Sequence, residues 1–230
     1  MEGRNCEFDW HRISSARILL GLRDMKKLTV ILTTLLILAS CSAPTGSVDG
    51  PMRDLGDFQL GHNIVVAPDL QKGPFSREAS KEAWIASMKK AIDNRFGRYD
   101  GDRLVHFGVN VSGYVLAQSG VPLLFSPKSA LIITVTAWDD RAGKKLNEEA
   151  REIIVLETFT GGSFIGSGYT MSAEEQMANL TYNAARNIED WMFKNRDCLK
   201  ENPTAEVLSE CWKTSKEERD EQQRQMDELR

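Results

Sequence analysis

Ala130-Leu131-Ile132-Ile133-Thr134-Val135-Thr136-Ala137-Trp138 is an uncharged run of nine residues, and Asp139-Asp140-Arg141-Ala142-Gly143-Lys144 follows it directly. The run is rich in β-branched side chains and reads as a strand; the Asp/Gly cluster behind it is turn chemistry. Glu152 to Phe159 supplies the returning strand. Upstream, Val105, Phe107, Val109 and Val111 alternate, the pattern of a strand buried on one face, with Gly113 placed to bend or bulge it before Tyr114 and Leu116. Earlier still, Ile64-Val65-Val66-Ala67 is a short apolar run closed by Pro68, so folded structure is expected to begin near Asn63.

Two helical stripes flank these strands. Trp84, Met88, Ala91, Ile92 and Phe96 recur at three- and four-residue spacing, with Lys81, Lys89, Lys90 and Asp93 on the other face and Gly97 as terminator. Ser172 with Glu175 forms a capping box, and Met177, Leu180, Ala184, Ala185, Ile188, Trp191 and Met192 continue from it. The order β-α-β-β-β-α predicts an α+β fold: an antiparallel four-stranded sheet with two long helices packed on one face, over residues 61–194. Asn202-Pro203 opens a short C-terminal helix within 195–214. The tail, 215–230, is almost wholly charged or Gln and reads as a solvated, frayed helix or disorder rather than a coiled-coil docking segment.

The N-terminal part carries an address. Met25-Lys26-Lys27 precedes an apolar stretch from Leu28 to Ala39, too short to span a bilayer as a helix, and Leu38-Ala39-Ser40-Cys41 closes it. That tetrapeptide resembles the lipobox of bacterial lipoproteins. The resemblance implies a signal peptide over 25–40, with Leu38, Ala39 and Ser40 read by the lipoprotein-specific peptidase. It also implies diacylglycerol on the Cys41 thiol, acylation by fatty acids such as palmitate, and a membrane anchor. A cysteine is required because a thiolate is nucleophilic enough to take the glyceride near neutral pH. Residues 1–24 precede Met25 and include Asp9, Arg12, Arg17 and Asp24, which suits a mis-assigned start with Met25 as initiator. Ser42 stands where the family's inner-membrane retention signal has Asp, so the resemblance implies the periplasmic face of the outer membrane. Residues 41–60, small, polar and Pro/Gly-rich at first, read as a flexible tether.

Charge and cysteine usage narrow the partners. The chain carries −4 overall; residues 1–40 hold six basic and four acidic side chains, leaving −6 for the rest. Without a basic block, that balance argues against nucleic acid. Of four cysteines, Cys6 lies before the signal segment and Cys41 is the lipid acceptor, so Cys198 and Cys211 are expected to pair as a disulfide in an oxidising periplasm. His62 and His106 belong to no metal or triad spacing, and Asp139-Asp140 reads as turn residues rather than a calcium site. Gly162, Gly166 and Gly168 do not fit a phosphate loop. No metal, cofactor or catalytic constellation is therefore expected.

Val121-Pro122-Leu123-Leu124-Phe125-Ser126-Pro127 is too apolar for a solvated hairpin end. Either it folds over the open sheet face, or Leu123, Leu124 and Phe125 touch a lipid or partner. Together with the Asp-rich turn after Trp138 and the helix from Ser172 to Trp191, the domain outline resembles two lipoprotein groups. One is the lipopolysaccharide-assembly lipoprotein that plugs a β-barrel translocon; the other comprises the auxiliary lipoproteins of lipid-trafficking ABC transporters. The resemblance implies a non-enzymatic accessory or assembly subunit of an envelope complex. The alternative is a stand-alone periplasmic protein binding a lipid between sheet and helices. Because Cys41 supplies the acceptor thiol, Cys41→Ala should abolish incorporation of radiolabelled palmitate and leave unprocessed precursor; label retained by the variant would contradict the lipobox.

Overall fold

The computed structural model describes residues 51–118, 129–156 and 171–228. Strand β1 (Phe58–Val66) is followed by the two-residue β2 (Gln71–Lys72), helix α1 (Lys81–Phe96), β3 (Arg103–Val115) and β4 (Ala130–Asp139). Then come β5 (Lys144–Lys145), β6 (Arg151–Leu156), α2 (Ala173–Lys194), a 3₁₀ turn (Arg196–Leu199), α3 (Ala205–Glu210) and α4 (Lys216–Glu228). The class is α+β, but the sheet is a mixed one of six strands rather than an antiparallel one of four. β1 and β2 both pair parallel with β3, whereas β3–β4, β4–β5 and β4–β6 are antiparallel. The reason lies in α1. A helical connection carries the chain back to the end where β1 began, so the next strand runs in the same direction; only the tight turns reverse it.

The extra strands also have local causes. The expected returning strand is divided, and Asn147 fills the gap between β5 and β6. Its Oδ1 accepts the Ala137 N–H at 2.8 Å while its Nδ2 donates to the carbonyls of Val135 (3.0 Å) and Glu149 (2.7 Å). A buried amide thus takes the place of missing strand backbone, which must otherwise be left unpaired. The fold also begins earlier than expected, since Leu55 and Phe58 are core residues and β1 starts at Phe58. Here a bulge concealed the alternation: Leu60 pairs with Val105 and Asn63 with Phe107, so Gly61 and His62 together face one residue, His106. The phase of inward side chains slips from Phe58 and Leu60 to Val65 and Ala67, and a strict two-residue count fails across it. A Cβ on Gly61 would overlap the His106 ring, so this close approach needs glycine.

The core lies between the sheet and the pair α1 and α2. Val105, Phe107, Val109 and Val111 of β3 and Leu131, Ile133, Val135 and Ala137 of β4 face inward, at 0–1% exposure. They meet Trp84, Met88, Ile92 and Phe96 of α1 and Leu180, Ala184 and Ile188 of α2, all at 0%. Ser80 caps α1 by accepting the Ala83 N–H, and the Ser172–Glu175 box opens α2. The opposite sheet face exposes Ile64, Val66, Leu104 and Trp138.

The domain has two ends. At the entry end, Arg103 N–H donates to the Asp57 carbonyl (2.8 Å), Arg103 reaches the Leu199 carbonyl (2.6 Å), and Cys198 is bonded to Cys211 with their Cα atoms 6.0 Å apart. The Arg53 guanidinium pairs with Asp190 at 2.6 Å and lies over the Phe193 ring. At the far end, Gly73 N–H donates to the Tyr114 carbonyl (2.8 Å), and Arg77 reaches the Met171 carbonyl beside the start of α2 (2.9 Å). The charged tail is helical as α4 and lies along β6. Glu218 joins Arg151 (3.0 Å) and Lys194 (2.6 Å), and the Gln222 amide donates to the Glu152 carbonyl (2.6 Å). These partners give an otherwise polar helix a reason to order, and they screen one sheet edge. Ile133→Ala should destabilise the fold by about 2–5 kcal/mol, whereas Ile64→Ala, on the open face, should change it by less than about 0.5 kcal/mol; parallel denaturant melts read both.

Candidate functional site

The residues singled out in the sequence fall into three groups. Leu38, Ala39, Ser40 and Cys41, the apolar Leu123, Leu124 and Phe125, and the glycines from Gly162 to Gly168 lie outside the described residues. Cys198 and Cys211 form the expected disulfide, which ties the 3₁₀ turn to the end of α3. It is reinforced by Trp212, whose N–H donates to Asn195 Oδ1 at 2.7 Å and whose ring meets Trp191 edge-on at 5.1 Å. The histidines and turn aspartates are brought together, but in structural roles.

His62 and His106 stack at 4.9 Å between ring centroids. His106 Nδ1 accepts the His62 backbone N–H at 2.7 Å, which leaves Nε2 to carry the proton and face Asp140 Oδ1 at 3.1 Å. The imidazole thus serves as acceptor for the donor that the bulge frees from the ladder. Asp139 is buried against Arg103 at 2.6 Å and also accepts the Arg141 N–H at 3.1 Å. Burial pushes its carboxyl up, yet the Arg103 hydrogen bond and charge outweigh that and hold it below its ordinary value. Among the described residues, no group of three or more His, Cys, Asp or Glu is arranged to hold a metal ion.

The densest buried electrostatics was not foreseen. Glu189 of α2 sits between α1 and the segment behind it. Oε2 takes Arg95 at 2.8 Å, and Oε1 takes Arg98 at 3.0 Å and the Tyr99 hydroxyl at 2.7 Å. The Glu189 and Arg95 side chains are 3% and 7% exposed, and the Arg95 guanidinium also lies 4.9 Å from the Tyr182 ring centroid. Burial alone would raise the Glu189 carboxyl; hydrogen bonds from Tyr99 and Arg98 and the charge of Arg95 win, and hold it below its ordinary 4.5. Tyr99 moves the other way, pushed above its ordinary 10.0 by burial and by donating to a carboxylate. Every member is committed to another, so the cluster is a clamp rather than a reactive site. The only sequence trace was a carboxylate between Ile188 and Trp191 on an apolar stripe.

Two surface features face outward. An open groove of about 620 Å³ runs between α1 and α2, floored by small side chains such as Ala83, Ser87, Ala91 and Ala178, with Arg95 and Tyr182 on its border. At the far end Phe75, 76% exposed, is the most exposed large apolar side chain among the described residues. Its φ of 54° lies in the left-handed region, a conformation that costs a bulky residue about 1–2 kcal/mol. The turn is pinned on both sides: Gly73 donates to Tyr114, the Leu116 N–H donates to Ser76 Oγ (2.8 Å), and Arg77 N–H donates to the Leu116 carbonyl (2.9 Å). The sequence signal was only Gly73-Pro74 ahead of an isolated aromatic.

No family model matches the chain. No curated protein matches it either. Among solved structures, a Xanthomonas campestris protein described under the family model DUF330 is 12% identical, covering 66% of this chain and 94% of its own, with a TM-score of 0.41. A minor lipoprotein from Acinetobacter baumannii is 17% identical, covering 56% of this chain and 94% of its own, with a TM-score of 0.26. Both superpose too loosely to assign the chain to a family.

Glu189→Gln leaves Arg95 and Arg98 without a counter-charge and should cost about 3–5 kcal/mol at neutral pH. The carboxyl is depressed in the folded state, so its contribution is full above the unfolded value of 4.5 and is lost as pH falls through the folded one. Urea melts should therefore find the gap between wild type and variant constant from pH 7 to 5 and narrowing below 4.5.

Proposed function

We propose that this chain is a lipid-anchored lipoprotein of the bacterial envelope, held at the periplasmic face of the outer membrane through Cys41. There it serves as a non-enzymatic accessory or assembly subunit of an envelope complex, one of lipid or lipopolysaccharide transport on the resemblance drawn above. One observation carries the reading: the lysine pair, short apolar core and Leu38-Ala39-Ser40-Cys41 stand in the order that a lipoprotein signal requires. The domain supports the accessory role. Its buried charges, Glu189 with Arg95 and Arg98 and Asp139 with Arg103, are spent on one another, as in a clamp.

The alternative, a stand-alone binder holding lipid between sheet and helices, has less support. That layer is filled by Trp84, Met88, Ile92, Phe107, Ile133 and Leu180, at 0–1% exposure. Such a core leaves no room for an acyl chain without displacing side chains from close packing.

The full chain expressed in a Gram-negative host should sediment with outer-membrane density. Ser42→Asp, which restores the retention signal, should shift it to the inner membrane. Extracted in mild detergent, it should carry a stoichiometric envelope protein. Lipid alone on the purified chain would favour the alternative, and a density unaffected by Ser42→Asp would remove the sorting reading.

A further inference from the structure

Phe75 combines three properties that the packing of this domain does not account for. Its ring contributes nothing to the core, its backbone adopts a conformation that glycine takes more readily, and its turn is nonetheless locked by hydrogen bonds on both flanks. A side chain held rigidly outward loses little freedom when it enters a pocket, and aromatic residues in that position are the usual anchors of protein interfaces. We infer that Phe75 is such an anchor, and that its occupant is a protein standing off the membrane, with an apolar pocket for the ring, rather than the bilayer that holds Cys41. The inference rests on anchoring at Cys41.

Length decides between the two. The chain enters beside Arg103, at the first residue of β3, and Phe75 projects beside Tyr114 to Leu116, at its end. Thirteen residues of strand separate those levels, about 40 Å at the rise of a β-strand. Arg53 is fixed at the entry end by Asp190 and Phe193. About a dozen residues join it to Cys41, a reach of at most about 42 Å when fully extended and about 19 Å for a Gly/Ser-rich coil. Bringing Phe75 to the anchoring bilayer therefore demands an inverted domain on a fully drawn tether. A domain on a relaxed tether presents Phe75 away from its own membrane.

The test uses the full chain in cells, with p-benzoyl-phenylalanine at position 75 and, as control, at Leu208, which is 54% exposed on α3 near the entry end. Lipidation of Cys41 is read by mass in the same sample. The expected result is one adduct of fixed mass between position 75 and another envelope protein, absent from position 208. Phe75→Gly should lower recovery of that protein with the chain by about 10-fold or more, while the melting temperature stays level or rises, because glycine accepts the turn geometry. A lipid adduct at 75 would assign the ring to the bilayer. An adduct of twice the chain's own mass would assign it to a second copy, and a lipidated chain with no adduct would leave it without an occupant; each overturns the inference. An unlipidated chain would instead mark the failure of the anchoring reading.

Discussion

Glu189 is the point at which the two helices and the chain behind α1 are held to one another. Its carboxylate takes two guanidinium groups and a phenol, from Arg95 at the end of α1 and from Arg98 and Tyr99 just beyond it. A charge so deeply buried is tolerated only because every lone pair facing its partners is used. The arrangement also fixes register. Apolar stripes slide over one another at small cost, whereas a charge held by Arg95, Arg98 and Tyr99 has one acceptable position. Phe58, Phe96 and Phe107, packed against one another and against Tyr99, take their places around that fixed point.

From this clamp the rest of the domain divides by face and by end. The inward sheet face is closed by α1 and α2, and its opposite keeps Ile64, Val66 and Trp138 in solvent. One edge strand, β6, is screened by α4 through Glu218 and Gln222. The entry end is stapled by a disulfide, the Arg103–Asp139 pair and Arg53. Burial pushes the Glu218 carboxyl up, but the hydrogen bond from Lys194 and the charge of Arg151 hold it below its ordinary value, so α4 stays charged and attached near neutral pH. The far end is built differently. Its turn around Phe75 is rigid in backbone and open in side chain, which suits recognition more than stability.

Much of the element list was legible from local pattern. The capping box at Ser172, the terminator at Gly97, the alternation from Val105 to Val111 and the bulge before Gly113 all express preferences of short segments, and the structure holds each of them. Strand direction was not legible. It follows from where a helical crossover returns the chain, a property of β1, α1 and β3 together. Nor was the start of the domain, because the bulge at Gly61 and His62 shifts the inward phase by one residue.

What the sequence by itself determined is the chemistry that acts on an unfolded chain: the lipobox pattern ending at Cys41, the helix stripes, and the spacing that lets Cys198 meet Cys211. A peptidase and an oxidising compartment read such features with few neighbours involved. Only the tertiary structure decided what distant residues do for one another. Glu189 becomes a clamp because three partners about ninety residues away converge on it. Phe75 becomes an exposed anchor because Tyr114 and Leu116, on another strand, hold its backbone in a conformation that a local segment would not keep. Burial and strain are set by neighbours in space, and neighbours in space are what a linear pattern does not contain.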